Sequence, residues 1–396
     1  AVQGPPGTGK TYVASRVIAR LVGHHAWKVG VVAQSHAVVE HLLDAVVAAG
    51  LDPRLVAKAP KDRDDGADRP WTAIEKDGAS AYLAAQAATG FVYGGTAWDF
   101  ANEGRVGRKA LDLLVVDEAG QFSLASTIAA SVAARRLLLL GDPQQLPQVS
   151  QGTHPEPVDM SALGWIADGH AVLPAELGYV LAESRRMHPA LAAPVSRLSY
   201  EGELQSHDCA ALRSIDGVEP GLTPVPVVHE GNTTESAEEA AEVVRLAVSL
   251  IGRAYTDTTS GAEPARAEPR PLAQSDLIVV TPYNAQLAVV RDALDRAGLR
   301  DVPVGTVDKF QGQEAAVAIV SLAASSAAAV PRGIEFLLLK NRLNVAISRA
   351  KVAAYLVYSP GLLDALPRTP QGVAQLSAFA RLVGVELPTL DRAPVG

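Results

Sequence analysis

The stretch GPPGTGKT, residues 4–11, decides the fold, and it stands only three residues from the start of the chain. It fits G-x-x-x-x-G-K-[ST], a loop that leads from a strand into a helix. Its glycines let backbone N–H groups close around phosphate oxygens, and Lys10 brings a point charge to the β- and γ-phosphates of a nucleotide. Thr11 offers a hydroxyl to Mg²⁺. Gly4, Pro5, Pro6, Gly7, Thr8, Gly9, Lys10 and Thr11 are therefore the candidate phosphate-binding residues. A strand should precede such a loop, and Ala1, Val2 and Gln3 are few for one. We expect the first strand to be truncated and residue 1 to be a cut inside a larger protein.

A second stretch, LLVVDEAGQ at 113–121, places an acidic pair at the end of an apolar strand. Asp117 is suited to hold Mg²⁺ and Glu118 to polarise an attacking water, whereas two carboxylates that merely cap a helix would not need the strand in front. A third apolar run, Leu137–Leu140, enters GDPQQLPQ at 141–148, where Gln145 is the candidate sensor of a γ-phosphate; a Pro-bracketed turn is the plainer reading of the same residues.

Around these stretches the bulk composition is ordinary. The chain has 396 residues, 48% hydrophobic and 20% charged, which suits two globular domains. Its apolar runs are strand-length, so no membrane span is expected. The single cysteine, Cys209, leaves no internal disulfide or cysteine-built metal centre, and a reducing cytoplasm is the expected location. A net charge of −8 argues against a protein that coats nucleic acid with positive charge, although a local groove can still be basic. No HExxH or clustered Cys/His spacing appears, and Mg²⁺ is the only metal expected.

Apolar β-branched runs at Val29–Ala33, Leu113–Val116, Leu137–Leu140, Leu277–Val280, Val317–Val320 and Ala353–Val357 alternate with helix-like stretches. That pattern predicts α/β lobes with parallel sheets buried on both faces, one over 1–180 and one over 181–396. Polar composition predicts an insertion near 50–90 and a mobile connection near 252–275.

Further blocks follow in order: AQSHAVVEHLL at 33–43, GGTAWDF at 94–100, SRRMHP at 184–189, TPYNAQ at 281–286, VGTVDKFQGQEA at 304–315 and RLNVAISRAK at 342–351. Together with the three stretches above they resemble the superfamily 1 helicases, AAA-type proteins, in the group that travels 5′ to 3′ on single strands and includes the nonsense-mediated-decay and replication-nuclease helicases. The resemblance implies two RecA-like lobes, ATP with Mg²⁺, and single-stranded nucleic acid, with DNA favoured over RNA. It implies that Arg186 and Arg349 neutralise charge on the transferring phosphoryl group, and that Arg185, where the family usually has an aromatic, lies against the base. Arg342 and Arg349, seven residues apart, are expected to project from one helix face toward the cleft between lobes. Gly312 and Glu314, beside Gln311, are expected at the nucleotide, and Ser35, Thr96, Thr281 and Thr306 at the phosphates of the strand. Each of those hydroxyls also suits a cap or a turn. The whole most resembles bacterial proteins that join a RecB-like nuclease to such a helicase, with the nuclease upstream; no nuclease pattern is present in these residues. A module that grips nucleic acid without turnover, or a translocase that serves the nuclease without unwinding duplexes, is the alternative.

Overall fold

The computed structural model describes residues 1–61, 68–148, 152, 154–158, 160–259, 265–310, 312–331 and 333–385. Gln311 and parts of both polar stretches lie outside them. Two compact units result, Ala1–Ala182 and Glu183–Gly396.

In the first unit the strands are β1 (Val2–Gln3), β2 (Lys28–Val32), β3 (Val56–Lys58), β4 (Thr72–Ala73), β5 (Phe91–Gly95), β6 (Leu113–Val116), β7 (Leu137–Gly141) and β8 (Tyr179–Val180). They form one sheet in the order β4-β3-β5-β2-β6-β7-β1-β8, and every pairing is parallel. Short as it is, β1 is held from both sides, with Val2 opposite Leu140 and Tyr179.

Alternation of side chains across the strands explains why LLVV is apolar at every position. Leu114 and Val116 face a core with Phe91, Tyr93, Phe100 and Leu163, while Leu113 and Val115 face the opposite core with Ile18, Leu42 and Val92. Helices α1 (Lys10–His25) and α2 (His36–Ala48) cover that second face through Ile18, Val22, Val39 and Leu43. Because the strands are parallel, the loops after β1, β2, β5, β6 and β7 all leave from one edge of the sheet, where ligands bind in such folds.

Over its described residues the polar stretch near 50–90 carries regular structure. It supplies β3, β4 and a helix at Ala79–Ala85, and it is pinned by Trp71, buried, whose Nε1 donates to Asp44 Oδ1 at 2.9 Å.

In the second unit five parallel strands run in the order Gly221–Pro226, Ala350–Tyr358, Ala315–Ser321, Leu277–Thr281, Val304–Thr306. Pro224 and Pro226 sit in the edge strand, where a missing N–H is tolerated. Helices Ala237–Leu250 and Asn284–Arg296 pack Val243, Leu246, Val290 and Leu294 onto Leu277, Val279, Val317 and Ile319. The expectation of a mobile connection near 252–275 is corrected over its described residues. Ala254–Thr256 pairs antiparallel with both Ser214–Ile215 and Arg270–Pro271, and Tyr255 is buried in the core. The buried Tyr255 and Thr256 anchor a short strand in a stretch whose average composition reads as loop.

Gly120 and Gly141 set the separation of the loops after β6 and β7. A Cβ at Gly120 would stand 2.4 Å from the Asp142 carbonyl oxygen, backbone that cannot swing away. Gly120→Ala is expected to cost about 1–3 kcal/mol of first-unit stability through overpacking. That predicts a loss of ~2–10 °C in melting temperature for a unit of this size, read by calorimetry.

Candidate active site

The phosphate loop is built so that its own residues keep it open. Gly4 N–H donates to the Gly141 carbonyl at 2.9 Å, and Thr8 Oγ1 donates to the Pro5 carbonyl at 2.8 Å. Gly7 and Gly9 have φ of 75° and 81°, and Gly9 is the residue from which α1 starts. Lys10 Nζ donates to the Gly4 carbonyl at 2.6 Å, and its stem lies where a Cβ on Gly4 would be, 2.1 Å from Lys10 Cγ. Only glycine allows the lysine to cross there. Thr11 follows in the first turn of α1, partly exposed.

Asp117 ends β6 and is 6% exposed. Burial, then the charge of Glu118, pushes its carboxyl up to about 7, against a hydrogen bond from the Glu118 N–H at 2.9 Å and the charge of Lys10. Lys10 and Asp117 therefore sense each other across the loop. Glu118 is partly exposed and adopts φ of 51°, a left-handed conformation uncommon for a residue with a side chain, which turns its carboxylate away from the strand it follows.

Gln145 is buried, and its Nε2 donates to Asp142 Oδ2 at 3.1 Å. Asp142 also accepts from the Gln144 N–H at 3.0 Å and lies 3.5 Å from Gln3 Nε2. Gln3 in turn donates to the Ala171 carbonyl at 2.9 Å and accepts from the Leu173 N–H at 2.8 Å. Sequence reasoning passed over Gln3 and Asp142. Their signal was a polar residue directly after an apolar strand, on each of the neighbours β1 and β7.

The donor set near the loop consists of hard oxygens, the Thr11 hydroxyl and the Asp117 carboxylate. Among the described residues no group of three His, Cys, Asp or Glu stands ready to hold a metal. This suits Mg²⁺, which takes one or two protein oxygens and fills its sphere with phosphate and water.

In the second unit Arg186 and Glu314 form an ion pair, Nε to Oε2 at 2.8 Å, and Arg186 Nη1 donates to the Ser348 carbonyl at 3.2 Å. Glu314 also meets Lys351 Nζ at 3.1 Å. Burial would raise the Glu314 carboxyl, but Arg186 and Lys351 outweigh it and hold it below the ordinary range. Arg185 is exposed, and Gly312, with φ of 78°, stands in open space.

The expected common face of Arg342 and Arg349 is corrected. The helix Lys340–Ile347 ends before Arg349, which lies in the turn into the strand Ala350–Tyr358. Arg349 is 2% exposed, with Nε on the Val345 carbonyl at 3.0 Å and Nη1 on those of Phe310 at 3.4 Å and Gln313 at 3.2 Å. Arg342 instead lays its guanidinium over the Phe336 ring, 4.2 Å from the centroid. Seven residues fix a helical face only while the helix lasts.

The four hydroxyls assigned to a strand divide. Thr281 is fully buried and donates to the Tyr283 carbonyl at 3.2 Å, which corrects its assignment: a hydroxyl with no exposed surface has no phosphate to meet. Ser35 caps α2 by accepting from Val38 N–H at 3.3 Å, and Thr96 donates to Asp99 Oδ2 at 2.8 Å in a capping box. Thr306 is partly exposed.

Beside Thr96, at the same edge of the sheet, lies a groove that sequence reasoning did not isolate. His36, Lys61, Lys76 and Arg105 line it, Arg105 paired with the one acidic lining residue, Asp99, at 2.5 Å, together with Trp98, which is 83% exposed. The Trp in GGTAWDF was the available signal.

Two family models described as AAA domains match in succession, one over residues 1–160 and the other over 170–360. DNA replication ATP-dependent helicase/nuclease DNA2 of Gallus gallus is 28% identical over 270 residues, 66% of this chain and 24% of that protein. The Regulator of nonsense transcripts 1 homolog of Neurospora crassa is 26% identical over 409 residues, 91% of this chain and 36% of that protein. This chain thus spans about a quarter to a third of those two relatives. Among solved structures, Arterivirus nonstructural protein 10 (helicase) with DNA aligns with a TM-score of 0.49 at 17% identity, over 95% of this chain and 62% of that one.

The raised carboxyl of Asp117 has a consequence for stability. A folded state that holds a proton which the unfolded chain releases is favoured at low pH. This contribution is therefore full below about 3.8 and lost as the pH rises through about 7. Without metal and nucleotide, Asp117→Asn is expected to be more stable than the parent at pH 8 by on the order of 1–4 kcal/mol, the gap closing toward pH 4. Urea denaturation across that range measures it.

Proposed function

We propose that this chain is an ATP hydrolase with an AAA-type superfamily 1 helicase core and that it moves along single-stranded nucleic acid as it hydrolyses ATP, a reading supported by the two AAA-domain matches and the helicase relatives. In this reading the track is DNA rather than RNA, travel is 5′ to 3′, and the motor serves a nuclease domain upstream in the same protein, within a reducing cytoplasm. A relative whose name joins helicase to nuclease supports the nuclease and DNA, while the match to a regulator of nonsense transcripts keeps RNA as the competing track.

One observation carries the proposal. A single edge of the first unit's sheet holds both the phosphate loop with Asp117 and Glu118, after β1 and β6, and a basic groove capped by an exposed tryptophan, after β2, β3 and β5. A hydrolytic centre and a stacking platform on one rigid sheet give a nucleotide a means of changing the grip on a strand.

The residue roles follow from charge and position. Lys10 and the loop N–H groups hold the phosphates, and Thr11 and Asp117 would hold Mg²⁺, which supplies charge neutralisation on the phosphates. Glu118 polarises water, Gln145 reports the γ-phosphate through Asp142, and Arg186 and Arg349 neutralise the equatorial oxygens. Arg185 provides a plane for the base. Arg342, Gly312 and Glu314 shape the same region of the second unit.

A second reading, a gripping module without turnover, draws on one observation: Arg186 and Arg349 are both engaged by partners within their own unit.

Steady-state hydrolysis with oligothymidylate and oligouridylate separates the readings. Strand-stimulated turnover is expected, larger with DNA, with Arg349→Ala ~10³-fold slower at unchanged nucleotide affinity. Strand binding with no stimulation in the parent protein would favour the gripping module. For the groove, Trp98→Ala is expected to weaken oligothymidylate binding by ~1–3 kcal/mol, ~5- to 150-fold in Kd, read by anisotropy at fixed salt.

A further inference from the structure

Arg213 belongs to none of the motif blocks, yet it is buried and all of its bonding is directed at one segment and one anchor. Its Nη1 donates to the carbonyls of both Arg185 and Arg186, each at 2.8 Å. Its Nε meets Asp257 Oδ1 at 2.6 Å, and its Nη2 donates to Thr258 Oγ1 at 2.8 Å. The planar fork of Arg213 reaches four partners in fixed directions at once, which the single three-donor nitrogen of a lysine does not.

The rest of the Arg185–His188 segment is held by other groups: Met187 is buried, and the His188 carbonyl accepts from the N–H groups of Leu191 and Ala192, both at 2.9 Å. Ser184 Oγ accepts from the N–H groups of Arg186 and Met187 at 3.3 and 3.4 Å, Ser206 Oγ donates to the Met187 carbonyl at 2.7 Å, and His188 N–H donates to the Lys351 carbonyl at 2.7 Å. Two of the segment's carbonyls therefore depend on Arg213. Asp257, the anchor, is shared with Lys351 Nζ at 3.2 Å, and Lys351 reaches Glu314 at 3.1 Å, which grips the Arg186 side chain at 2.8 Å. Charge and backbone close a loop: Arg186, Glu314, Lys351, Asp257, Arg213 and the Arg186 carbonyl again. The side chain of Arg186 is held from one end of this loop and its backbone from the other.

We infer that Arg213 is a positioning residue for phosphoryl transfer, fixing the backbone of Arg185 and Arg186 so that the Arg186 guanidinium keeps its aim when it exchanges Glu314 for phosphate. The inference rests on the proposed role of Arg186 in hydrolysis. A guanidinium misplaced by an ångström loses most of its effect on a transition state while costing little in ground-state binding.

The test uses the full chain with oligothymidylate, steady-state hydrolysis, binding of a fluorescent ATP analogue, and thermal melting. Arg213→Ala is expected to lower kcat ~10- to 100-fold with nucleotide Kd within ~2-fold. Arg213→Lys is expected to recover less than ~3-fold of the loss, because charge without the fork does not hold both carbonyls. Millimolar guanidinium ion, against matched sodium chloride, is expected to raise turnover of Arg213→Ala. Turnover of Arg213→Ala within 2-fold of the parent overturns the inference, as does full rescue by lysine. So does a loss in which kcat, nucleotide affinity and melting temperature fall together, the mark of a merely structural residue. If Arg213→Ala does not fold, Asp257→Asn carries the same split, with kcat expected to fall ~3- to 10-fold through the loosened anchor and unchanged kcat overturning the inference. Arg186→Ala is run alongside. Parent-like hydrolysis there removes the role of Arg186 itself, whereas slow Arg186→Ala with normal Arg213→Ala sinks only the inference about Arg213.

Discussion

A parallel sheet buried on both faces leaves a charged side chain one place to stand, the end of a strand. Each reactive residue of the first unit obeys this constraint. The phosphate loop opens after Gln3, the acidic pair after Val116, the Asp142–Gln145 pair after Gly141, and the basic groove after β2, β3 and β5. Strand direction then gathers these ends at one edge without any special folding of the loops. Chemistry and grip become neighbours as a result of topology.

The second unit handles charge differently. Arg349 and Arg213 are buried and Arg186 is partly so, and burial of a guanidinium is tolerable only when its donors are matched. Arg349 is matched by three backbone carbonyls, and Arg213 by two carbonyls, a carboxylate and a hydroxyl. Arg186 is matched by a carboxylate that Lys351 already shares. Of the three, Arg186 has the contact most easily traded, because Glu314 keeps Lys351 as a partner when Arg186 leaves. The backbone matches of Arg213 are the opposite case, since freeing them exposes two unsatisfied carbonyls.

What was legible in the sequence follows from this difference. Apolar runs announced the central strands, since a strand such as LLVV with a core on each side has no polar position to confuse it. The loop residues were legible because Gly4, Gly7 and Gly9 each answer a backbone demand. Short strands were not legible: Val56–Lys58 and Val304–Thr306 are three residues long, and their identity comes from neighbours that sequence order does not list beside them. The faces of Arg342 and Arg349 were misread because the helix period was carried past the end of the helix. Thr281 was misread because a threonine next to a Pro-Tyr pair gives no sign that its strand is buried to its last residue. Arg213 gave no signal at all, since its importance lies in contacts to residues 27 and 44 positions away.

The first unit also carries costs that make sense only with its ligands in view. Asp117 sits buried with its charged form disfavoured, and Glu118 holds a left-handed backbone that a side chain resists by roughly 1–2 kcal/mol. Lys10, the compensating cation, is turned onto a carbonyl of its own loop. Polyphosphate with its cation would answer two of these, offering Lys10 anionic oxygens and Asp117 a positive charge. A ligand of that charge would thus act on the loop and on the strand end at once. Because β2 lies between β6 and β5 in the same sheet, the Asp117 end and the Trp98 groove stand at nearby strand ends.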